Sequence, residues 1–231
     1  MNKTLLISLI INVIIIIPIV YLAFTWRKHL RKAIDGILLQ HHEQKLSMFE
    51  AMPVRDNSII MLGNSIIEGV NWSELFGNEQ IINRGISADI TQGVIERMDE
   101  IVKHKAAKLF LAIGTNDISR FIPTDTIIAN YKIILQRMKS DSPNTKIYIQ
   151  SLLPVALKPG DMYSHNNEGI LALNKELVKL CEENELTYIN LNPHFANAEG
   201  KLKAEFTNDK LHLLGPGYLL WKKLIQSYID E

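Results

Sequence analysis

The sequence predicts an α/β fold with a parallel sheet, placed behind one apolar N-terminal helix. Two observations on the chain indicate this arrangement. Residues 4–26 form a long segment without charge. Beyond residue 50, short apolar runs alternate with longer amphipathic stretches, which is the pattern of βαβ units. The runs contain little polar alternation, as expected for parallel strands that helices cover on both faces.

The first element is the apolar segment, which carries no charged side chain from Leu5 to Trp26. About 22 residues at roughly 1.5 Å each make a helix of about 33 Å, enough to cross a bilayer core. A secretory signal peptide is the competing interpretation, but its apolar core is normally shorter and a small-residue cleavage site follows it. Bulky Tyr21 and Trp26 instead suit a membrane interface. We expect an uncleaved single-pass transmembrane anchor over residues 4–26.

The charges around the anchor leave its orientation open. Arg27, Lys28, Arg31 and Lys32 follow the segment, and Lys3 precedes it. Counted simply, the excess of positive charge keeps the C-terminal side in the cytoplasm. A segment of the signal-anchor type, however, often exports the domain behind it. Both sides of the membrane remain possible for that domain.

Two further segments follow the anchor. Residues 27–50 show loose helical spacing among charges and predict a juxtamembrane helix, which Pro53 stops. Residues 51–231 predict one globular domain with no internal repeat. The apolar runs expected to be strands are residues 58–62, 80–83, 108–113, 145–150 and 186–190. The helical patterns are residues 89–104, 124–139, 166–184 and 216–228, with Ser87 proposed as the cap of the first.

Composition excludes several classes of function and of cross-link. The 25 basic residues balance 25 acidic ones, so there is no basic surplus of the kind that nucleic acid binding needs. Cys181 is the single cysteine, which rules out an intramolecular disulfide and a cysteine metal cluster. We expect no nucleic acid partner. The oligomeric state is left open.

Polar residues follow the predicted strands, where open parallel sheets bind their ligands. Ser65 lies just after the first run, Gly85 after the second and Asn116 after the third. A serine in a strand-to-helix turn can serve as a nucleophile, whereas glycine and asparagine can supply hydrogen-bond donors to an oxyanion. Each alone is also an ordinary cap or turn residue. Their joint occurrence at strand ends favours acyl transfer.

A base for Ser65 is expected from the C-terminal part of the chain. Asp209 precedes His212 by three residues, a spacing that places both on one face of a turn and suits a Ser-His-Asp triad. An ordinary loop ion pair is the alternative. His165 and His194 lie in predicted loops without a convincing partner.

Taken together, these blocks resemble the SGNH (GDSL-type) hydrolases, named for blocks that bear Ser, Gly, Asn and His. Ser65, Gly85, Asn116 and His212 match the four blocks in order, with Asp209 at the expected place. The resemblance covers roughly residues 51–231 and is greatest to the platelet-activating-factor acetylhydrolase-like branch, which includes bacterial carbohydrate O-acetylesterases.

The resemblance implies a fold, a mechanism and a class of substrate. The fold would be flavodoxin-like, a three-layer α/β/α sandwich with a five-stranded parallel sheet. Ser65 would be the nucleophile, His212 the general base and then acid, and Asp209 its orienting partner. The Ser65 and Gly85 backbone amides and the Asn116 side chain would form the oxyanion hole. No metal or cofactor is implied, and a shallow site would favour small acyl groups.

We therefore expect a membrane-anchored serine esterase that removes small O-acyl groups, above all acetyl, from a glycan or lipid. Lysophospholipase or thioesterase action on longer chains, and O-acyl transfer to a sugar, are alternatives. Asn64 stands where the family usually has aspartate. This change keeps open a non-enzymatic alternative, a scaffold or binding protein on a retired hydrolase fold. Trp72, Phe121 and Tyr163 are candidates for the mouth of the site, although a core or surface position is the more usual fate of an aromatic residue.

Overall fold

A computed structural model of the chain describes residues 2–158 and 165–231. Tyr163, considered above for the mouth of the site, lies outside the described residues. The chain divides into two compact units, residues up to Gln44 and residues from Lys45 onward. The second unit carries the sheet and all the predicted catalytic residues.

The N-terminal element is one uninterrupted helix, α1 (Lys3–Ala51), which contains Pro18. It runs through both the predicted anchor and the predicted juxtamembrane segment and ends two residues before Pro53. The side chains of residues 12–24 are exposed, so this stretch is not a core helix of the chain itself. By length and composition, α1 is the one helix of the described residues that could cross a membrane, and a signal sequence would share these properties.

The sheet confirms the predicted α/β class. Its five strands are all parallel and lie in the order β2-β1-β3-β4-β5. The strands are β1 (Ile59–Gly63), β2 (Ile81–Gly85), β3 (Lys108–Ala112), β4 (Lys146–Gln150) and β5 (Thr187–Ile189). This is the flavodoxin-like order, with its switch point between β1 and β3. The strands β3, β4 and β5 lie within the predicted runs, whereas β1 and β2 end one and two residues beyond theirs.

Helices cover both faces of the sheet. They are α2 (Ser65–Glu68), α3 (Trp72–Phe76), α4 (Thr91–Glu96), α5 (Met98–Val102), α6 (Thr115–Ser119), α7 (Thr124–Asp141), α8 (Asn167–Glu183), α9 (Asn192–Phe195) and α10 (Gly215–Asp230), with a 3₁₀ turn at Ala204–Phe206. Along β1, Ile60 and Leu62 enter one core and Ile59 and Met61 the other. This alternation builds the three-layer sandwich.

One predicted helix and its cap differ from the structure. The stretch 89–104 forms two short helices that meet at Arg97, whose φ of −111° and ψ of 18° are not helical. The Arg97 guanidinium is buried and donates to Asp89 and to the Arg84 carbonyl, so tertiary contacts override the local pattern. Ser87 does not cap α4, which begins at Thr91 after Ile90.

Contacts between α10 and α2 bring distant parts of the chain together. The Tyr218 hydroxyl donates to the Ile66 carbonyl at 2.9 Å. Trp72 is fully buried and lies edge-on to Tyr218 and Trp221, with ring centroids 6.0 and 5.4 Å away. Trp72 is therefore a core residue. Asp209 and His212 lie in the loop that precedes α10. These contacts therefore hold that loop beside α2.

Candidate active site

Ser65 occupies the sharp turn between β1 and α2. It is the first residue of α2, and Asn64 caps that helix by accepting a hydrogen bond from the Ile66 backbone N–H at 3.1 Å. Asn64 is buried, and its amide oxygen performs the capping that a carboxylate could also perform. The Ser65 hydroxyl is half-buried at the carboxyl end of the sheet. Its oxygen lies 2.9 Å from His212 Nε2.

His212 and Asp209 form a close pair in the loop before α10. His212 Nδ1 lies 2.6 Å from Asp209 Oδ2. An ionised carboxylate only accepts hydrogen bonds, so the proton belongs on Nδ1, and Nε2 is left to accept the Ser65 hydroxyl proton. The spacing of three residues thus produces a hydrogen-bonded chain from Ser65 through His212 to Asp209.

The Asp209 carboxylate is held ionised by its surroundings. Partial burial alone would raise its pKa, but hydrogen bonds from the His212 ring and from two backbone amides lower the pKa to about 2. The amides belong to Leu211 and His212 and donate to Oδ1 at 2.9 and 2.8 Å. Asp209 therefore remains charged at any pH at which an esterase would work. It can orient the His212 ring and stabilise an imidazolium.

Asn116 lies at the end of the neighbouring strand, in the first turn of α6. One proton of its amide is donated to the Asp89 carbonyl at 2.8 Å, which fixes the side chain and leaves a second proton available. Its oxygen faces His165 Nε2 at 3.4 Å. The amide is thus oriented from both ends, with one N–H free to meet a ligand.

His165 is part of the site, which the sequence had not indicated. It is buried, and both burial and the nearby His212 lower the pKa of its imidazole to about 4. A neutral ring at this place adds no positive charge beside His212. The sequence offered no signal for it, because neither a helical nor a strand pattern connects residue 165 to the strand ends.

Gly85 allows close packing between β2 and α2 and does not present a free N–H for an oxyanion. Its backbone N–H, assigned above to the oxyanion hole, donates to the Asn83 side-chain oxygen at 2.7 Å. A Cβ at residue 85 would lie 2.3 Å from the Glu68 backbone nitrogen and 2.8 Å from the Asn64 carbonyl oxygen. Glycine is therefore required here because the end of β2 and helix α2 approach each other too closely for any side chain.

The loop after β2 offers a free backbone donor three residues later, at Ala88. Within the described part of the chain, the Ala88 N–H donates to no acceptor, whereas the amides of Ile86, Ser87 and Asp89 are all engaged. Ala88 has a φ of +62°, which costs an L-residue about 1 kcal/mol. Ala88 directly precedes Asp89, whose carbonyl accepts the Asn116 amide. A strained residue with an unused N–H at this place is a candidate functional group, and side-chain chemistry could not have revealed it.

Buried polar contacts fix both ends of this oxyanion side of the site. Asp89 forms an ion pair with Arg97 at 2.9 Å, and neither side chain is more than 2% exposed. Asp117 accepts bonds from the Thr91 backbone N–H at 3.1 Å and from its hydroxyl. Burial raises the pKa of Asp117, and these bonds partly offset the rise. The β2 loop and α6 are thereby joined through α4.

No cluster of three or more His, Cys, Asp or Glu side chains with metal-binding geometry occurs among residues 2–158 and 165–231. Cys181 is buried, and burial raises the pKa of its thiol to about 11, so it is a poor nucleophile.

Comparison with known proteins now identifies the family. Residues 61–220 match the GDSL-like Lipase/Acylhydrolase family. The chain is 25% identical over 190 residues to rat platelet-activating factor acetylhydrolase IB subunit alpha2, covering 80% of this chain and 79% of the relative. It is 24% identical over 172 residues to the human alpha1 subunit, covering 71% of each.

Solved structures share the architecture. A protein from Streptococcus pneumonia, described as a candidate platelet activating factor, is 30% identical with a TM-score of 0.78, covering 86% of this chain and 97% of that one. An acetyl xylan esterase is 20% identical with a TM-score of 0.64, covering 74% and 99%. At 20% identity, the similarity to the acetyl xylan esterase shows a shared fold alone. With most of its catalytic unit matched, the chain belongs to the GDSL-like lipase/acylhydrolase (SGNH) family and is an ester hydrolase.

Proposed function

We propose that this hydrolase is a membrane-anchored serine esterase that removes small O-acyl groups, above all acetyl, from a glycan or lipid. The observation that carries the mechanism is the continuous chain from Ser65 Oγ to His212 Nε2 at 2.9 Å and from His212 Nδ1 to Asp209 Oδ2 at 2.6 Å. These distances are those of a nucleophile, its base and an orienting carboxylate.

In the proposed reaction, Ser65 Oγ attacks the acyl carbonyl while His212 Nε2 takes its proton. The tetrahedral intermediate collapses, the ester C–O bond breaks and His212 returns the proton to the leaving alcohol. Water then attacks the acyl-Ser65 ester, His212 again accepts a proton, and the carboxylic acid leaves as Ser65 is reprotonated. Asp209 stays ionised and stabilises the transient imidazolium.

Three donors are available for the oxyanion in this scheme. They are the Ser65 backbone N–H, the Ala88 backbone N–H and the free proton of the Asn116 amide. Among the described residues, no acceptor engages the first two. Ala88 takes the place that the family resemblance predicts for Gly85, whose N–H already donates to the Asn83 side-chain oxygen. Donors aimed at a developing oxyanion supply a large share of the rate in acyl transfer.

Acetyl is the proposed acyl group because the curated relatives at 24–25% identity are named as acetylhydrolases. Action on longer acyl chains is the second candidate, favoured by α1, which would hold the enzyme near lipid. A panel of p-nitrophenyl esters from acetate to decanoate separates the two. A steady increase of kcat/KM with chain length would overturn the acetyl assignment. Hydrolase and acyltransferase action are separated by product analysis with added acceptor sugars.

The anchor in this proposal is the apolar part of α1, residues 4–26. Its exposed side chains, such as Ile14 and Phe24, would meet acyl chains rather than water. Extraction of membranes with alkaline carbonate should leave the full-length chain in the pellet, and release into the supernatant would contradict anchoring. A reporter fused after Glu231 would show on which side of the membrane the catalytic unit lies.

The decisive test of the mechanism is Ser65→Ala. Turnover of p-nitrophenyl acetate should fall by at least about 10³-fold, since loss of a triad nucleophile leaves only binding and the oxyanion donors. A fluorophosphonate probe should add its mass to Ser65 in the wild-type chain and to no residue in the variant. Full activity in Ser65→Ala would disprove the mechanism. Absence of labelling under conditions that label a control serine esterase would favour the scaffold alternative.

A further inference from the structure

The loop that carries Ala88 is held by two charged side chains, one in the helix that carries Ser65 and one directly after the helix that carries Asn116. Glu68, in the same short helix as Ser65, accepts hydrogen bonds on Oε2 from the Ser87 backbone N–H at 2.6 Å and from the Ser87 hydroxyl at 2.5 Å. These are short, charge-assisted bonds. They fix the residue immediately before the free Ala88 N–H.

A second charged group holds the other side of Ala88. Arg120, which directly follows α6, donates from Nη2 to the Ala88 carbonyl at 2.8 Å. The two contacts flank the Ala88 backbone: Glu68 acts on Ser87 before it, and Arg120 acts on the carbonyl after it. Neither contact involves the nucleophile, its base or the Asn116 amide.

The conformation of Ala88 explains why such a restraint is needed. At a φ of +62° its Cβ is crowded by its own backbone, so an unrestrained alanine would relax to negative φ. That rotation would turn the Ser87–Ala88 peptide and its N–H away from the present direction. A donor that must be aimed at one point therefore depends on contacts that oppose the relaxation.

We propose that Glu68 and Arg120 are positioning residues that clamp the Ser87–Ala88 segment and so aim the Ala88 N–H at the acyl carbonyl of the substrate. The inference rests on the proposed Ser65 chemistry. Glu68 also pairs through Oε1 with Lys45 of α1 at 2.9 Å. A half-exposed ion pair of this kind contributes little by itself, so the loop contact is the important one.

The clamp predicts a defect confined to the transition state. In Glu68→Ala, kcat for p-nitrophenyl acetate should fall roughly 10- to 100-fold, less than the 10²- to 10³-fold that complete loss of a donor costs. KM should stay within about threefold. The inhibition constant of a trifluoromethyl ketone, whose Ser65 adduct carries the oxyanion, should rise in parallel with the loss of kcat/KM.

A rescue experiment distinguishes aiming from general damage. Glycine adopts positive φ without penalty, so the loop no longer needs the clamp to resist relaxation. In the Ala88→Gly background, Glu68→Ala should therefore lower kcat at least about threefold less than it does in the wild-type background. A purely structural role of Glu68 would give the same defect in both backgrounds.

Three further variants complete the design. Glu74→Ala, which removes an exposed glutamate of α3 whose partner is Asn71, should leave kcat and KM within about twofold. Lys45→Met removes the ion pair but not the loop contact and should change kcat less than about threefold. Arg120→Met, on an exposed side chain, should lower kcat about 3- to 10-fold and serves as the second test if Glu68→Ala does not fold.

The outcomes separate this inference from the proposed mechanism. Unchanged kcat in both Glu68→Ala and Arg120→Met, with Ser65→Ala inactive, would overturn the clamp and leave the serine mechanism intact. An equal Glu68→Ala defect with and without Ala88→Gly would also overturn the clamp. Full activity in Ser65→Ala would overturn both. Far-ultraviolet circular dichroism and melting temperature identify any variant that has failed to fold.

Discussion

The two halves of the active site are built in opposite ways. The acid–base half consists of side chains near solvent: those of His212 and Asp209 are 36% and 42% exposed. The oxyanion half includes deeply buried supports: neither side chain of the Asp89–Arg97 pair is more than 2% exposed. Groups that exchange protons with substrate and water need access to both. Donors that act by being in place need surroundings that do not move.

Because of this difference, substitutions should impair the two halves in different ways. The acid–base half can be disabled by changing one functional group without disturbing the fold. The oxyanion half depends on backbone position, so changes act on it through packing and strain. Four substitutions test whether the two halves respond in these different ways.

Asp209→Asn should strongly impair the acid–base half and leave the fold intact. An amide can donate to His212 Nδ1 and so favour the wrong tautomer, which lowers kcat/KM in triads by the order of 10³-fold or more. Ester hydrolysis and melting temperature should be measured together. Thr207→Val is the matched control, because it removes only a long hydrogen bond of 3.3 Å to the same carboxylate. It should lower kcat/KM less than about fivefold. A loss of less than tenfold in Asp209→Asn would show that Asp209 is a loop ion pair.

Gly85→Ala should damage the oxyanion half through the fold. The new Cβ would meet backbone atoms of α2 at 2.3 and 2.8 Å, so the helix must shift. We expect the free energy of unfolding to fall by about 3 kcal/mol, the upper range for overpacking, and kcat to fall with it. Gly215→Ala, where a Cβ meets nothing within 4 Å, is the control. Equal urea midpoints in detergent for the two variants would contradict the close approach.

His165→Gln should change how stability depends on pH. The pKa of His165 in the folded chain is about 4, below its ordinary value of 6.5, so the unfolded chain takes up a proton first as pH falls. Wild-type stability should therefore decrease between pH 6.5 and 4, by up to about 3 kcal/mol from this group. The variant should lack that decrease. His194→Gln, on an exposed side chain, should retain it. An NMR titration midpoint of His165 near 6.5 would refute the assignment.

Asn64→Asp should have the smallest effect. Asparagine and aspartate cap helices about equally well, and either oxygen can accept the Ile66 N–H bond. We expect kcat/KM to change by less than about fivefold, and Asn64→Ala to lose about 1 kcal/mol of stability with its cap. A large gain of activity in Asn64→Asp would mean that the natural asparagine restrains this enzyme.

The difference between the halves also explains what the sequence could predict. Ser65, Asn116, Asp209 and His212 could be proposed because their chemistry lies in their side chains and their order along the chain matches that of a known family. Ala88 could not be identified, since every residue but proline supplies a backbone N–H. Its conformation depends on contacts from Glu68 and Arg120, which are 20 and 32 positions away along the chain.

The same reasoning applies to the fold. Five parallel strands could be predicted because each is a short apolar run, which is visible in the sequence without knowledge of the neighbouring strands. The break of the 89–104 helix at Arg97 was not predicted, because it depends on carbonyls and a carboxylate that only the folded chain brings to the guanidinium. The local sequence pattern thus predicts that a helix or strand forms. In the 89–104 stretch, the buried polar contacts of Arg97 determine where the helix ends.

Ser65 and His212 touch although 147 positions separate them. During synthesis, the serine leaves the ribosome with the first strand, and its base follows only after the fifth strand. Contacts between such distant segments form late and slowly in folding. A nascent or half-folded chain therefore carries an inert serine. In the proposed mechanism, ester cleavage begins only when the segment that carries Asp209 and His212 has docked, so the order of translation itself delays activity.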